Sequence, residues 1–233
     1  MPTVKIGNNT GDDYIGVEDN RVDSNNDTYN NGIHPNGYTG DNGGGRTLRE
    51  HARYNFVDIP AGATCDSAVM SIYDTNWANR TADLTITLYE IATANGNWVE
   101  GTTMNAAEVG SPCWGFKIYN SVAWAGSAGM STAGTDYVNT SLGSAVFTDG
   151  VSGYRTITLN ASGKTKLEDW FGDATNNGFL LFGTGAGATW TEWQSRQGTD
   201  GQRPYLTVGY TAAGGNWGPL LALQNNRLIQ VQN

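Results

Sequence analysis

The stretch RYNFVDIPAGATCDSAVMSIY, residues 53–73, decides the fold. It opens on a strand in which Tyr54 and Phe56 share a face, turns at Pro60, Ala61 and Gly62, and runs into a second strand. There Ala68, Met70 and Ile72 point one way and Ser67, Val69, Ser71 and Tyr73 the other. Period-two alternation interrupted by Pro and Gly marks half-buried antiparallel strands. The expectation is a central hairpin inside an all-β antiparallel sandwich.

The neighbouring segments extend the same pattern. In DLTITLYEI, residues 83–91, Leu84, Ile86 and Leu88 alternate with Thr85, Thr87 and Tyr89, which predicts a strand. RTITL at 155–159 is another, with Ile157 and Leu159 inward, and 177–182 and 204–210 (PYLTVGY) are the last two core strands. Residues 13–17 are read as a first strand, and the Gly-, Ala- and Ser-rich 115–150 as weak strands and long loops. One helix is expected over 160–171, NASGKTKLEDWF, capped by Ser162 or Thr165 and stopped at Gly172. Its Leu167, Trp170 and Phe171 make an i, i+3, i+4 apolar stripe.

A length of 233 residues suits one all-β domain able to bury roughly 70% of its unfolded surface without metal or disulfide staples. The net charge of −9 argues against nucleic acid as a partner, which calls for a basic stripe, and against an anionic membrane surface. No apolar run approaches the roughly 18 residues that inserting a membrane helix needs. Cys65 and Cys113 are too few for a disulfide framework and lack metal-site spacing. Cys65 occupies a core-facing slot, which favours a buried free thiol over a bridge. The N-terminal MPTVKIGNNTGDD has no apolar core of a secretory signal. That suits either a leader already removed or export without one, as for a virion component released by lysis.

The chain divides at its last core strand. Residues 1–212 form the sandwich; 213–233 begin with the hinge GGNWGP and continue as LLALQNNRLIQVQN. Asn225 and Asn226 can turn a hairpin between 220–224 and 227–231. A lone two-stranded hairpin is marginal in water and needs an apolar surface, either its own sandwich or another chain; the second is favoured here, which makes Leu220, Leu221, Leu223, Leu228, Ile229 and Val231 candidate docking residues for another subunit.

Three kinds of chemistry are weighed. Asp23, Asn25 and Asp27 match the opening of a calcium loop, but Thr28 stands where its turn glycine belongs and His34 where its bidentate Glu belongs. Calcium is therefore a candidate cofactor set against a simple run of Asx turns. Trp190, Glu192, Trp193 and Arg196 form one candidate glycan-binding cluster, and Trp77 with Arg80 another, because sugar faces stack on rings while carboxylates and guanidinium groups bond hydroxyls. Trp190 and Trp193 fall on opposite faces of a regular strand, so at most one is expected to be exposed. Arg46, Arg49 and Arg53 beside His51 are a possible grip for an acidic sugar. Neither His34 nor His51 lies in a nucleophile or zinc motif, and the pair Glu100 and Glu192 has no special spacing; no enzyme activity is expected.

The order of motifs resembles a known family. R-Y-N-F-x-x-I-P-A-G-A-T, S-A-V-M-S-I-Y, N-W-V-E-G-T-T, T-I-T-L-N with L-E-D-W, N-N-G-F-L-L-F and R-P-Y-L-T-V-G-Y follow one another as in DNRLRE-type domains. These are also called disaggregatase-related domains, and they overlap a family of alginate-binding carbohydrate-binding modules. The resemblance covers about residues 10–212 and implies an antiparallel jelly roll, found beside polysaccharide lyases and hydrolases, in bacterial surface proteins and in phage virions. It implies packing roles for Phe56, Ala68, Tyr73, Trp98, Trp170 and Tyr210 and supplies no catalytic residue. The insertion GYTGDNGGG and the tail after Tyr210 depart from it. The resulting expectation is a non-enzymatic structural or adhesion protein on a virion surface or outside the cell, most simply a phage decoration protein. Its partners would be other virion or surface subunits held through the tail. The alternative is a secreted carbohydrate-binding module of a polysaccharide-degrading enzyme.

Overall fold

The computed structural model describes residues 2–7, 16–42, 44–76, 80–172, 175–187 and 189–214, with the backbone of two strands at 221–224 and 227–230. In chain order the strands are β1 (Thr3–Ile6), β2 (Val17–Asp23), β3 (Tyr29–Asn30), β4 (Asn36–Asp41), β5 (Thr47–Tyr54), β6 (Thr64–Asp74) and β7 (Leu84–Glu90). After them come β8 (Ala106–Ala107), β9 (Phe116–Ile118), β10 (Val122–Ala123), β11 (Gly143–Phe147) and β12 (Gly153–Thr158). Helix α1 (Ala161–Trp170) precedes β13 (Phe179–Gly185), β14 (Thr189–Gln194), β15 (Tyr205–Thr211), β16 (Leu221–Gln224) and β17 (Arg227–Gln230).

All named ladders are antiparallel, and the protein is an all-β sandwich with a single short helix among the described residues. One path, β1-β15-β6-β14-β4-β5-β13-β7-β11, carries β12 beside β6 and β2 beside β5. Between β6 and β14 the path rests on one residue pair, Asp74 with Trp193. That pair joins two leaves, β1-β15-β6-β12 and β14-β4-β5-β13-β7-β11. Their inner faces meet in one core that includes Tyr54, Met70, Ile72, Leu88, Ile157, Phe179, Trp193 and Leu206.

The expected hairpin at 53–73 is not a hairpin. Its two strands exist, but β5 pairs with β2, β4 and β13, whereas β6 pairs with β12, β14 and β15. The cause lies in the nine residues between them, since tight hairpins use two to five. Phe56, Ile59 and Ala63 of this connection are buried in the core. The segment therefore passes over the end of the sandwich from one leaf to the other.

Along β6 the predicted alternation holds for Ala68, Met70 and Ile72, all buried. Cys65 has the opposite parity yet is buried too. The register jumps from Gly209–Ser67 to Tyr210–Cys65; skipping Asp66 makes a bulge that returns Cys65 to the core face. Both cysteines are free and buried.

Helix α1 covers the core with Leu167, Trp170 and the adjoining Phe171. Its cap is Asn160, two residues before Ser162 and five before Thr165, the caps expected from the sequence; the Asn160 side chain accepts from Gly163 N at 2.9 Å. A Cβ at Gly163 would strike the Leu142 carbonyl, so the helix sits flush on backbone there.

Outside the second leaf lies a smaller core of Val22, Ile91, Trp98, Trp124, Met130, Tyr137 and Leu180. Long coverage from 92–142, with the short sheets β3-β8 and β9-β10, builds it. The tail strands β16 and β17 pair with each other in their own two-stranded sheet.

Candidate functional site

The two glycan clusters read from sequence separate in space. Trp77 lies outside the described residues. Arg80 is buried and donates from Nη1 to Asp74 Oδ2 at 2.9 Å, so it is a structural ion pair rather than a surface contact. Trp193 lies in the core, as alternation requires once Trp190 faces outward. Arg196 clasps Glu100, with Nε 3.0 Å from Oε1 and Nη2 2.5 Å from Oε2. Of that set only Trp190 and Glu192 share a face.

Strand pairing supplies the rest of that face. Trp190, Glu192 and Gln194 lie opposite Gly40, Tyr38 and Asn36 of β4. The Trp190 ring stacks on Tyr38 with centroids 5.1 Å apart, and the Arg21 guanidinium lies 4.5 Å from the Tyr38 centroid. His34 meets Tyr38 edge-on at 5.8 Å. Position 40 has φ +118, and a Cβ there would collide with Thr189 O and Trp190, so glycine is what lets the Trp190 strand approach.

The polar atoms around the stack are ordered by one another. Glu192 Oε1 accepts from Asn36 Nδ2 at 3.0 Å and from Thr75 Oγ1 at 3.4 Å. Gln194 Nε2 donates to Asn36 Oδ1 at 3.1 Å. Burial raises the Glu192 carboxyl, with the Tyr38 and Thr75 hydroxyls and Arg21 pulling it back. Burial and the Glu192 charge push the Tyr38 phenol up to about 12. Burial, helped by Arg21, brings the His34 imidazole down to about 4. The face therefore presents a half-buried indole, an imidazole that is neutral at neutral pH and the two amides of Asn36 and Gln194, with the Tyr38 phenol and the Glu192 carboxyl buried beneath them. Such groups donate to and accept from hydroxyls while the ring packs on an apolar sugar face.

Asp23 is clasped by Arg46, whose Nε lies 3.0 Å from Oδ1 and Nη2 2.5 Å from Oδ2. Asn25 N also donates to Oδ1, and Asn25 and Asp27 are exposed. A guanidinium thus occupies the carboxylate that a calcium ion would need, and no group of three His, Cys, Asp or Glu is arranged for a metal among the described residues. Arg46, Arg49 and Arg53 do not converge either. Arg49 donates to Ser131 Oγ at 2.6 Å, while Arg53 donates to the Trp98 carbonyl at 2.6 Å, stacks on its ring at 4.4 Å and faces Glu18 at 3.5 Å. A cleft of about 260 Å³ opens beside Glu18 and Arg53, over Phe56 and Trp170.

Of the docking residues, Leu221, Leu223, Leu228 and Ile229 fall within the tail strands, with Leu223 opposite Leu228 and Ala222 opposite Ile229. Leu220 and Val231 lie outside the described residues. A cluster that the sequence reading passed over is Asp19, Arg21 and Glu50, buried on the inner face of β2 and β5 beside Glu100 and Arg196. Alternation in VEDNRVD puts Asp19, Arg21 and Asp23 on one face, and that was the available signal. Compared with known proteins, the chain matches no family model, and no curated relative is found for it.

Proposed function

We propose that this protein is a non-catalytic display protein on the outside of a particle, most simply a phage virion decoration protein. Residues 1–212 would be the exposed body and 213–233 the anchor. The observation that supports this reading is the separation of β16 and β17, which among the described residues pair with each other rather than extending the eleven-stranded sheet. A hairpin of four residues a side is marginal alone, and adding such an element to a neighbour's sheet edge is a general route to assembly. Arg227 is the sole charged residue after Ala213 in a chain of net charge −9, so the tail carries none of the charge that would repel a second acidic subunit. Deleting 214–233 is expected to abolish co-purification with the particle while leaving a folded, monomeric sandwich by circular dichroism and light scattering. Undiminished incorporation of the truncated protein would sink the reading.

The stack of Trp190 on Tyr38, bordered by Asn36, Glu192 and Gln194, favours a second reading: a carbohydrate-binding module. It predicts saturable binding of a polysaccharide with no partner protein, measured on a glycan array and by calorimetry with alginate and neutral glycans.

A further inference from the structure

Asp19, Glu50 and Glu100 converge where β2, β5 and the segments around residues 100 and 196 meet. The Arg196 backbone N–H donates to Asp19 Oδ2 at 2.7 Å, and Asp19 N donates to Glu100 Oε1 at 3.1 Å. Glu100 also receives Arg196 through both guanidinium nitrogens and Gln197 Nε2 at 3.1 Å. Glu50 Oε2 accepts from Tyr38 N at 3.2 Å. These bonds tie two loop segments, 98–101 and 195–204, to the body of the sandwich.

The charges do not balance. Three carboxyls face two guanidinium groups, Arg196 and Arg21. Arg196 is committed to Glu100, and Arg21 directs Nη2 to Asn31 Oδ1 at 3.0 Å and Asn105 Oδ1 at 3.2 Å. The other charged pair on this side, Asp23 with Arg46, is self-contained. Tyr38 and Tyr54 are phenols driven upward by burial and stay neutral. Asp19 and Glu50 are almost wholly buried, and the cavity between them, lined by Tyr54, Trp193 and Pro204, measures about 10 Å³. That is room for about one water, too little to hydrate an uncompensated carboxylate.

We propose that Asp19 holds a proton that keeps this cluster closed, and that losing it unlatches the 98–101 and 195–204 segments from the sandwich. Burial and the Glu100 charge push the Asp19 carboxyl up to about 8. Burial and Asp19 hold Glu50 well above the usual carboxylate range. The raised group stabilises the fold fully below its unfolded value, near 3.8, and that stabilisation is lost as pH rises through about 8. The latch is thus tightest in acid, loosens progressively through neutral pH, and is at its loosest from about pH 8 upward.

Asp19→Asn mimics the protonated form, and Glu100→Gln removes the charge that helps raise the Asp19 carboxyl while keeping an oxygen that can accept from Asp19 N. Hydrogen exchange in 98–101 and 195–204, corrected for intrinsic rate, tests the latch on the whole chain between pH 6 and 10. The wild type is expected to lose about tenfold protection per pH unit as pH rises towards about 8 and to level off above it; Asp19→Asn should stay flat, and Glu100→Gln should level off at a lower pH than the wild type. Protection in these segments that does not change with pH in the wild type would overturn the proposal. So would a loss of wild-type size in Asp19→Asn; if that variant fails to fold, a plateau unmoved from the wild type in Glu100→Gln overturns the proposal.

Discussion

Arg80 and Asp74 face each other 2.9 Å apart with both side chains fully buried, at the joint where the two leaves of the sandwich meet. Asp74 Oδ1 also accepts from Thr191 Oγ1 at 2.8 Å and Asn76 N at 2.9 Å, and Arg80 Nη2 reaches Asn76 Oδ1 and Thr148 O. One guanidinium thereby ties β6, β14 and the segment after β11. Arg80→Met leaves the buried Asp74 carboxylate with only the more distant, partly exposed Arg155 at 4.0 Å and is expected to cost about 3–5 kcal/mol in urea unfolding. Asp74→Leu combined with Arg80→Met should recover much of that loss, because no charge is then stranded. A double variant no more stable than Arg80→Met would contradict this account.

Trp190 and Trp193 are three residues apart on β14 and are expected to answer truncation in opposite ways. Trp193 is a core residue, and Trp193→Ala should lower stability by about 3–5 kcal/mol. Trp190 is half-buried against Tyr38, so Trp190→Ala should leave a cooperative fold and remove any polysaccharide affinity. Thermal melting read beside a glycan titration separates the effects; glycan binding unchanged in Trp190→Ala would remove this face from consideration.

Strands were legible in the sequence wherever one face is buried and the other wet. DLTITLYEI shows this in β7, whose residues alternate buried and half-buried along its length. Partners were not legible, because alternation fixes which face is inward but not which strand lies alongside. Glu192 finds Asn36 156 residues away, and β5 and β6, neighbours in sequence, lie in different leaves. β1 was missed, since Thr3, Val4 and Lys5 mix exposed and half-buried positions. Trp190 and Glu192 were legible as neighbours on one face because they sit two apart on one strand. Tyr38, Asn36 and His34 were not, because the opposing strand lay in a stretch rich in Gly and Asn that reads as loop.

His51 gives the fold an acid limit of opposite sign to the Asp19 latch. It is fully buried, edge-on to Trp98 at 4.4 Å and Trp124 at 5.9 Å, and neither ring nitrogen has a hydrogen-bond partner among the described residues. Burial, with Arg53 adding to it, brings the imidazole down to about 3. A depressed histidine stabilises the fold above its unfolded value, near 6.5, and that contribution disappears as pH falls towards 3. The imbalance is on the order of 5 kcal/mol at the acid end. His51→Leu should be as stable as the wild type or more so at pH 7, because it deletes unpaired buried polar atoms, and should melt at a lower pH in an acid titration. An acid midpoint identical in the two proteins would assign the acid limit elsewhere.

Asp136 organises the segment that covers the second core. Its Oδ1 accepts from Asn95 Nδ2 at 2.9 Å and Gly126 N at 2.8 Å, and its Oδ2 from Ser127 N at 2.9 Å and Thr132 N at 2.8 Å. Four donors from three stretches thus converge on one buried carboxylate, and Trp124, Met130 and Tyr137 are folded over Trp98 around it. Charge-assisted bonds of this kind are roughly twice as strong as neutral ones. Asp136→Asn keeps the shape but turns an amide NH₂ towards backbone N–H groups that need an acceptor, stranding at least one of them at about 1–3 kcal/mol each. The covering segment should therefore open before the sandwich does. Tryptophan emission should then shift to the red, as Trp124 and Trp98 meet solvent, at a denaturant concentration below that at which far-ultraviolet dichroism is lost. The wild type should lose both signals together, and coincident transitions in Asp136→Asn would show that the carboxylate does not hold this layer in place.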